Sequence, residues 1–149
     1  MSSTPVDVFA SFAVRCQLQL RIEPLAAAPR DVLAPPDDAD QVYLVTITKP
    51  SSGTLLRSVF IKSADDPLPP DARDVLWWLA ADAWAVRHSG RDLRRWAQEY
   101  RYPPDAEATG RLFEQHLAQN DALERLLGHA EYERLLALYD AEIARVRKA

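Results

Sequence analysis

The chain has 149 residues, 48% of them hydrophobic and 27% charged, with a formal net charge of −4. That length fits one domain with a usable core, and the mildly acidic balance excludes a global field drawing the protein onto nucleic acid or an anionic membrane. Cys16 is alone, which excludes an internal disulfide and a thiolate metal site, and no apolar run approaches the ~18 residues of a membrane span.

Residues 1–5 read as a tail without the basic-then-apolar order of a signal peptide, so the expected compartment is cytoplasmic. From Val8 to Ile22 the even positions are apolar and the odd positions from Ser11 onward are mostly polar, an alternation that predicts a half-buried β-strand. Residues 23–40 carry Pro24, Pro29, Pro35 and Pro36 among several aspartates and read as a loop. Gln41 to Lys49 is β-branched and aromatic, Pro50 to Gly53 is a turn, and Thr54 to Lys62 returns, so this stretch predicts a hairpin. Sheet over 6–62 followed by helices over 71–148 predicts a single α+β domain. Its sheet is three-stranded and antiparallel, an N-terminal strand plus the hairpin, packed against a C-terminal helical layer of about four helices.

Asp71 suits a helix N-cap, with Asp74 in the acidic place of a capping box and Pro69-Pro70 upstream. The helix it starts is apolar nearly all round and stops near His88, before Ser89-Gly90. A short helix from about Arg91 to Tyr100 puts Leu93, Trp96, Ala97 and Tyr100 on one face and Arg91, Arg94, Arg95 and Glu99 on the other. Pro103-Pro104 ends it, and Asp105 is placed to cap a third helix that runs to Gly128, carries His116 on its inner side and is weakened by Gly110. A last helix, roughly Glu131 to Arg147, bears a stripe from Tyr132 to Val146.

No recognisable reaction centre stands out, so no catalytic residue, cofactor or metal is expected. His88, His116 and His129 lack ligand spacing, and Cys16 reads as a core thiol. Asp82 is the unusual carboxylate: it lies mid-helix between Ala81 and Ala83, where a buried ion pair with Arg94 or Arg95 or a functional role would explain it. Arg87 to Arg101, interleaved with Trp96, Tyr100 and Tyr102, forms a weak basic aromatic patch of the kind that binds nucleic acid. Trp77, Trp78 and Trp84 exceed what one helix easily buries and predict a protein-partner surface or a homodimer seam. The expected partner surface is therefore Trp77, Trp78, Trp84, Arg91, Arg94, Arg95, Trp96 and Tyr102.

The order Asp74-Val75-Leu76, Leu79-Ala80-Ala81-Asp82-Ala83, Leu93-x-x-Trp96, Glu99-Tyr100-x-Tyr102, Phe113 and Leu126-Leu127-Gly128 resembles a family of short uncharacterised proteins of bacteriophages and bacterial mobile elements. Leu93 stands where that family has an aromatic residue and Arg101 where it has glycine. The resemblance covers roughly residues 41–128 and implies a non-enzymatic interaction protein, for instance a counter-defence inhibitor of a host restriction or CRISPR-type nuclease. A nucleic-acid-binding accessory is the alternative, and an enzyme built around Asp82 the third reading.

Overall fold

The computed structural model describes residues 5–26, 41–62 and 68–148. In chain order the elements are α1 (Pro5–Arg15), β1 (Gln19–Leu25), β2 (Gln41–Lys49), β3 (Thr54–Lys62), α2 (Ala72–His88), α3 (Leu93–Glu99), α4 (Glu107–Leu127) and α5 (His129–Lys148). The strands form one antiparallel sheet in the order β1-β2-β3, and helices cover one of its faces, an α+β architecture.

The N-terminal strand is a correction. Residues 5–15 form a helix, and the strand begins only at Gln19. The buried residues Phe9, Phe12, Ala13 and Cys16 are spaced three, one and three apart, the signature of a helical face. Val14, which alternation would put inside, is 79% exposed. Gln17 (φ 56°) turns the chain in a left-handed conformation. Leu18 N–H then bonds the Ala13 carbonyl and Gln17 N–H the Val14 carbonyl, a Schellman cap formed without glycine. β1 runs on to Leu25, into the stretch expected to be loop. Pro24 is accommodated because β1 is an edge strand. The rest of that expected loop, 27–40, lies outside the described residues.

The hairpin is as expected: Lys49 pairs with Thr54 across the turn, with Gly53 at φ 71°. Tyr43, Val45, Ile47, Leu56 and Phe60 face the helices and join Phe9, Phe12, Leu76, Leu79, Leu123, Leu126, Leu135 and Leu136 in one core. A smaller cluster of Ala85, Val86, Trp96, Ala97 and Phe113 ties α3 to α2 and α4.

α2 starts on the expected capping box: Asp71 accepts from the Asp74 N–H at 3.0 Å, and Asp74 accepts from the Asp71 N–H at 3.1 Å. α3 starts later than expected, because Arg91 (φ 60°) belongs to the turn and Asp92 is the N-cap, accepting from the Arg95 N–H at 3.0 Å. Asp105 does not cap α4. That helix starts at Glu107 behind Ala106 with no side-chain cap, and Asp105 stands exposed, 3.7 Å from Arg94. α4 passes through Asn120-Asp121 unbroken to Gly128.

Candidate ligand-binding cleft

A cavity of about 760 Å³ opens between β3, α2 and α4. Its lining starts from five consecutive residues of the edge strand β3, Arg57 to Ile61, and from Trp78, Leu79 and Asp82 of α2. Leu112, Gln115, His116, Gln119 and Ala122 of α4 face them, spaced three, one, three and three apart as one side of a helix is. Tyr100 and Tyr102, at and after the end of α3, close one end.

Asp82 is the one carboxylate among the described residues lining this cleft. It is partly buried, and its partners are neutral. The Gln119 side-chain amide donates to Asp82 Oδ2 at 3.0 Å, and the Tyr100 hydroxyl lies near enough to favour the carboxylate's charged form. The same Gln119 accepts from Ser58 Oγ at 2.6 Å, so one side chain links β3, α4 and α2. Burial pushes the Asp82 carboxyl above its ordinary value, and nearby His116, the Gln119 hydrogen bond and Tyr100 only partly offset this. Burial, and then the Asp82 charge, push the Tyr100 hydroxyl up in turn. The His116 ring lies edge-on to Trp96 and Tyr100, and its Nδ1 is buried without a hydrogen-bond partner among the described residues.

The ion pair expected between Asp82 and Arg94 or Arg95 is not formed. Arg94 and Arg95 are exposed on α3, and Arg94 reaches Asp105 instead. The basic patch is largely neutralised: Arg87 pairs with Glu133 (2.9 Å from Nη1 to Oε2) and Arg91 with Asp121 (3.3 Å). Arg101, at φ 59°, forms a second glycine-free Schellman turn, with Tyr102 N–H on the Ala97 carbonyl.

The tryptophans do not form an exposed surface. Trp96 is 0% exposed, which removes it from any partner surface without rearrangement. Trp77 lies edge-on to Phe9 (5.5 Å between ring centroids) and Tyr139 (4.9 Å), and Trp84 stacks on His88 (4.5 Å). Trp77, Trp78 and Trp84 are half-buried against the core, Trp77 partly under Phe9 of the helix α1 that replaced the expected strand and Trp78 against Phe60 of β3. Of the eight residues expected to form the partner surface, the structure brings only Trp78 and Tyr102 together in the cleft.

No protein-family model, curated protein or solved structure matches the chain.

Ser58, Tyr100, His116 and Gln119 were missing from the expected surface. Their signal was present in part: His116 and Gln119 stand on the inner stripe of α4, three apart, where an ordinary packed helix would have aliphatic residues. Among the described residues no three His, Cys, Asp or Glu side chains come together as metal ligands would, and no helix is long and apolar enough to cross a membrane. Cys16 is buried, its Sγ 3.4 Å from Glu131 Oε2, and burial pushes its thiol up.

Proposed function

We propose that the chain is a non-enzymatic binding protein whose working element is the cleft between β3, α2 and α4. The carrying observation is a hollow of ligand size, about 760 Å³, with a single anchored carboxylate on an otherwise mainly aromatic, aliphatic and amide lining. Binding is favoured over catalysis because Asp82 already accepts a hydrogen bond from Gln119, which is itself held by Ser58. A carboxylate fixed in this way suits orientation of a ligand more than proton transfer to it.

The test is a fragment screen read by indole N–H resonances. Hits should move the Trp78 signal, leave Trp84 in place, and be lost when Ala118, on the cleft wall, is replaced in Ala118→Phe. Hits scattered over the surface and indifferent to Ala118→Phe contradict the reading.

The wider role belongs to the same proposal. The resemblance to mobile-element proteins supports a protein that engages a host complex, with a restriction or CRISPR-type nuclease as the counter-defence target. Inhibition of a purified nuclease of that kind by the wild-type protein, weakened by Ala118→Phe, is the expected result; undiminished cleavage across a panel of such nucleases counts against it. The nucleic-acid reading is the weaker one, because Arg87, Arg91 and Arg94 already face carboxylates.

A further inference from the structure

A carboxylate placed among aromatic rings with no lysine or arginine beside it is chemically incomplete. Among the described residues no lysine or arginine reaches Asp82, and the amide that donates to it and the phenol nearby bring no positive charge. Removing a carboxylate from water without an opposite charge is unfavourable, and the molecule that supplies the charge is thereby selected. Around it, Trp78 from α2 and Tyr100 and Tyr102 from the end of α3 offer ring surfaces, with Phe60 of β3 edge-on to Trp78. Tyr100 and Tyr102 are stacked at 5.8 Å with their planes 14° apart, so they form one continuous wall. Aromatic faces attract organic cations through their quadrupoles, most strongly where water is excluded.

We infer that the cleft takes an organic cation, a guanidinium or alkylammonium group on an apolar stem, with the charged head on Asp82 and the stem along Trp78 and Tyr100. This rests on the reading of the cleft as the binding element and names the chemistry of its ligand. The head would add donors to a carboxylate that keeps its bond from Gln119. A stem of a few methylenes fits the aliphatic stretch made by Leu79, Leu112 and Ala122. The other titratable or charged groups facing the site are His116 from α4, Tyr100 and Tyr102 after α3, and Arg57 on β3, which is exposed at the rim. Arg57 carries the one fixed positive charge of the lining, at the exposed rim, so a doubly anionic or zwitterionic ligand would be held differently. The cation can come as a free amine or as the arginine or lysine side chain of a protein, and the two sources are separable by experiment.

The experiment is calorimetric titration of the full-length protein with n-butylguanidinium and with its neutral isostere n-butylurea. A second arm uses acetyl-arginine-amide and acetyl-citrulline-amide, and both arms are run at two pH values in buffers of different ionisation enthalpy. The expected result is a preference for the cation over its isostere of roughly ten-fold or more, as a charge-assisted hydrogen bond in a desolvated site provides. Affinity should rise with pH through the range in which the free carboxyl is still partly protonated, and there binding should release a proton to the buffer. Asp82→Asn should erase the preference while the protein stays folded by thermal melting. If only the free guanidinium shows it, the source is a small molecule; if the blocked arginine binds as well or better, the source is a protein side chain. Equal binding of butylurea, or a preference that survives Asp82→Asn, overturns the cation inference and leaves the cleft as a neutral-ligand site. Failure of all four probes overturns it too, and if the fragment screen also leaves Trp78 unmoved the reading of the cleft falls with it.

Discussion

Gln119 on α4 donates to Asp82 on α2 at 3.0 Å while accepting from Ser58 on β3 at 2.6 Å. Both ends of one amide are used, and both partners would lose their bond if it were removed. Gln119→Leu should therefore destabilise the protein by about 1–3 kcal/mol, the usual effect of leaving part-buried polar groups unsatisfied. Gln119→Glu should be worse near neutral pH, because it sets two carboxylates together. Chemical denaturation of the two variants measures both effects.

The Asp82 titration gives a pH signature. Its folded value lies above the ordinary 3.8. Between the unfolded and folded values the native state holds more protons, so this group's contribution to stability falls as pH rises through that window and stays low above it. Asp82→Asn lacks this loss and its oxygen can still accept from Gln119. It should be more stable than wild type near neutral pH, and the difference should shrink as pH falls toward 3.8. Glu131 has the opposite sign: the hydrogen bond from Arg15 outweighs a weaker upward push from burial and holds it below 4.5. Its contribution is present above 4.5 and is lost as pH falls through the folded value. Melting curves against pH for wild type and Asp82→Asn separate the two.

Two Schellman turns place a side chain where glycine is usual, at Gln17 (φ 56°) and Arg101 (φ 59°). The left-handed conformation costs a non-glycine residue about 1–2 kcal/mol, partly offset by the extra unfolded-state freedom of glycine. Arg101→Gly should stabilise by ~0.5–1 kcal/mol. Gly110→Ala in α4 should add about 1 kcal/mol by helix propensity, since nothing lies within 4 Å of the added methyl. Thermal melting of the two single variants is the measurement.

Trp96 is fully buried, and its Nε1 has no hydrogen-bond partner among the described residues. Trp96→Ala should destabilise by about 3–5 kcal/mol, as truncation of a buried aromatic does. Trp96→Phe should be much milder, because it removes an unsatisfied donor along with part of the ring. A large loss in Trp96→Phe would show that the indole N–H has a partner after all. Denaturant unfolding of both proteins decides it.

Sequence and structure agree where local signals were redundant. The hairpin, the Asp71–Asp74 capping box and the end of α2 at Ser89-Gly90 each carry turn chemistry as well as periodicity. Val8 to Ile22 carried two patterns at once. Its alternation hid the three-one-three spacing of Phe9, Phe12, Ala13 and Cys16, and the turn at Gln17 gave no glycine to mark the break. Asp105 looked like a cap by residue type alone, yet Ala106 occupies the cap position. Within the cleft, Asp82 was visible as a mid-helix carboxylate with no polar face to occupy. Its partner was not, because Gln119 lies 37 positions away and only the packing of α4 on α2 brings them together. The partial covering of Trp77 was hidden for the same reason: it depends on Phe9 of α1, which was read as a strand.

The most direct test is the ionisation of the Asp82 side chain itself, followed by carbon-13 NMR of its carboxyl in the free protein and in the protein saturated with n-butylguanidinium. The expected result is a midpoint above 3.8 in the free protein that drops when the cation binds. A midpoint at the ordinary carboxyl value, unmoved by the cation, would contradict it.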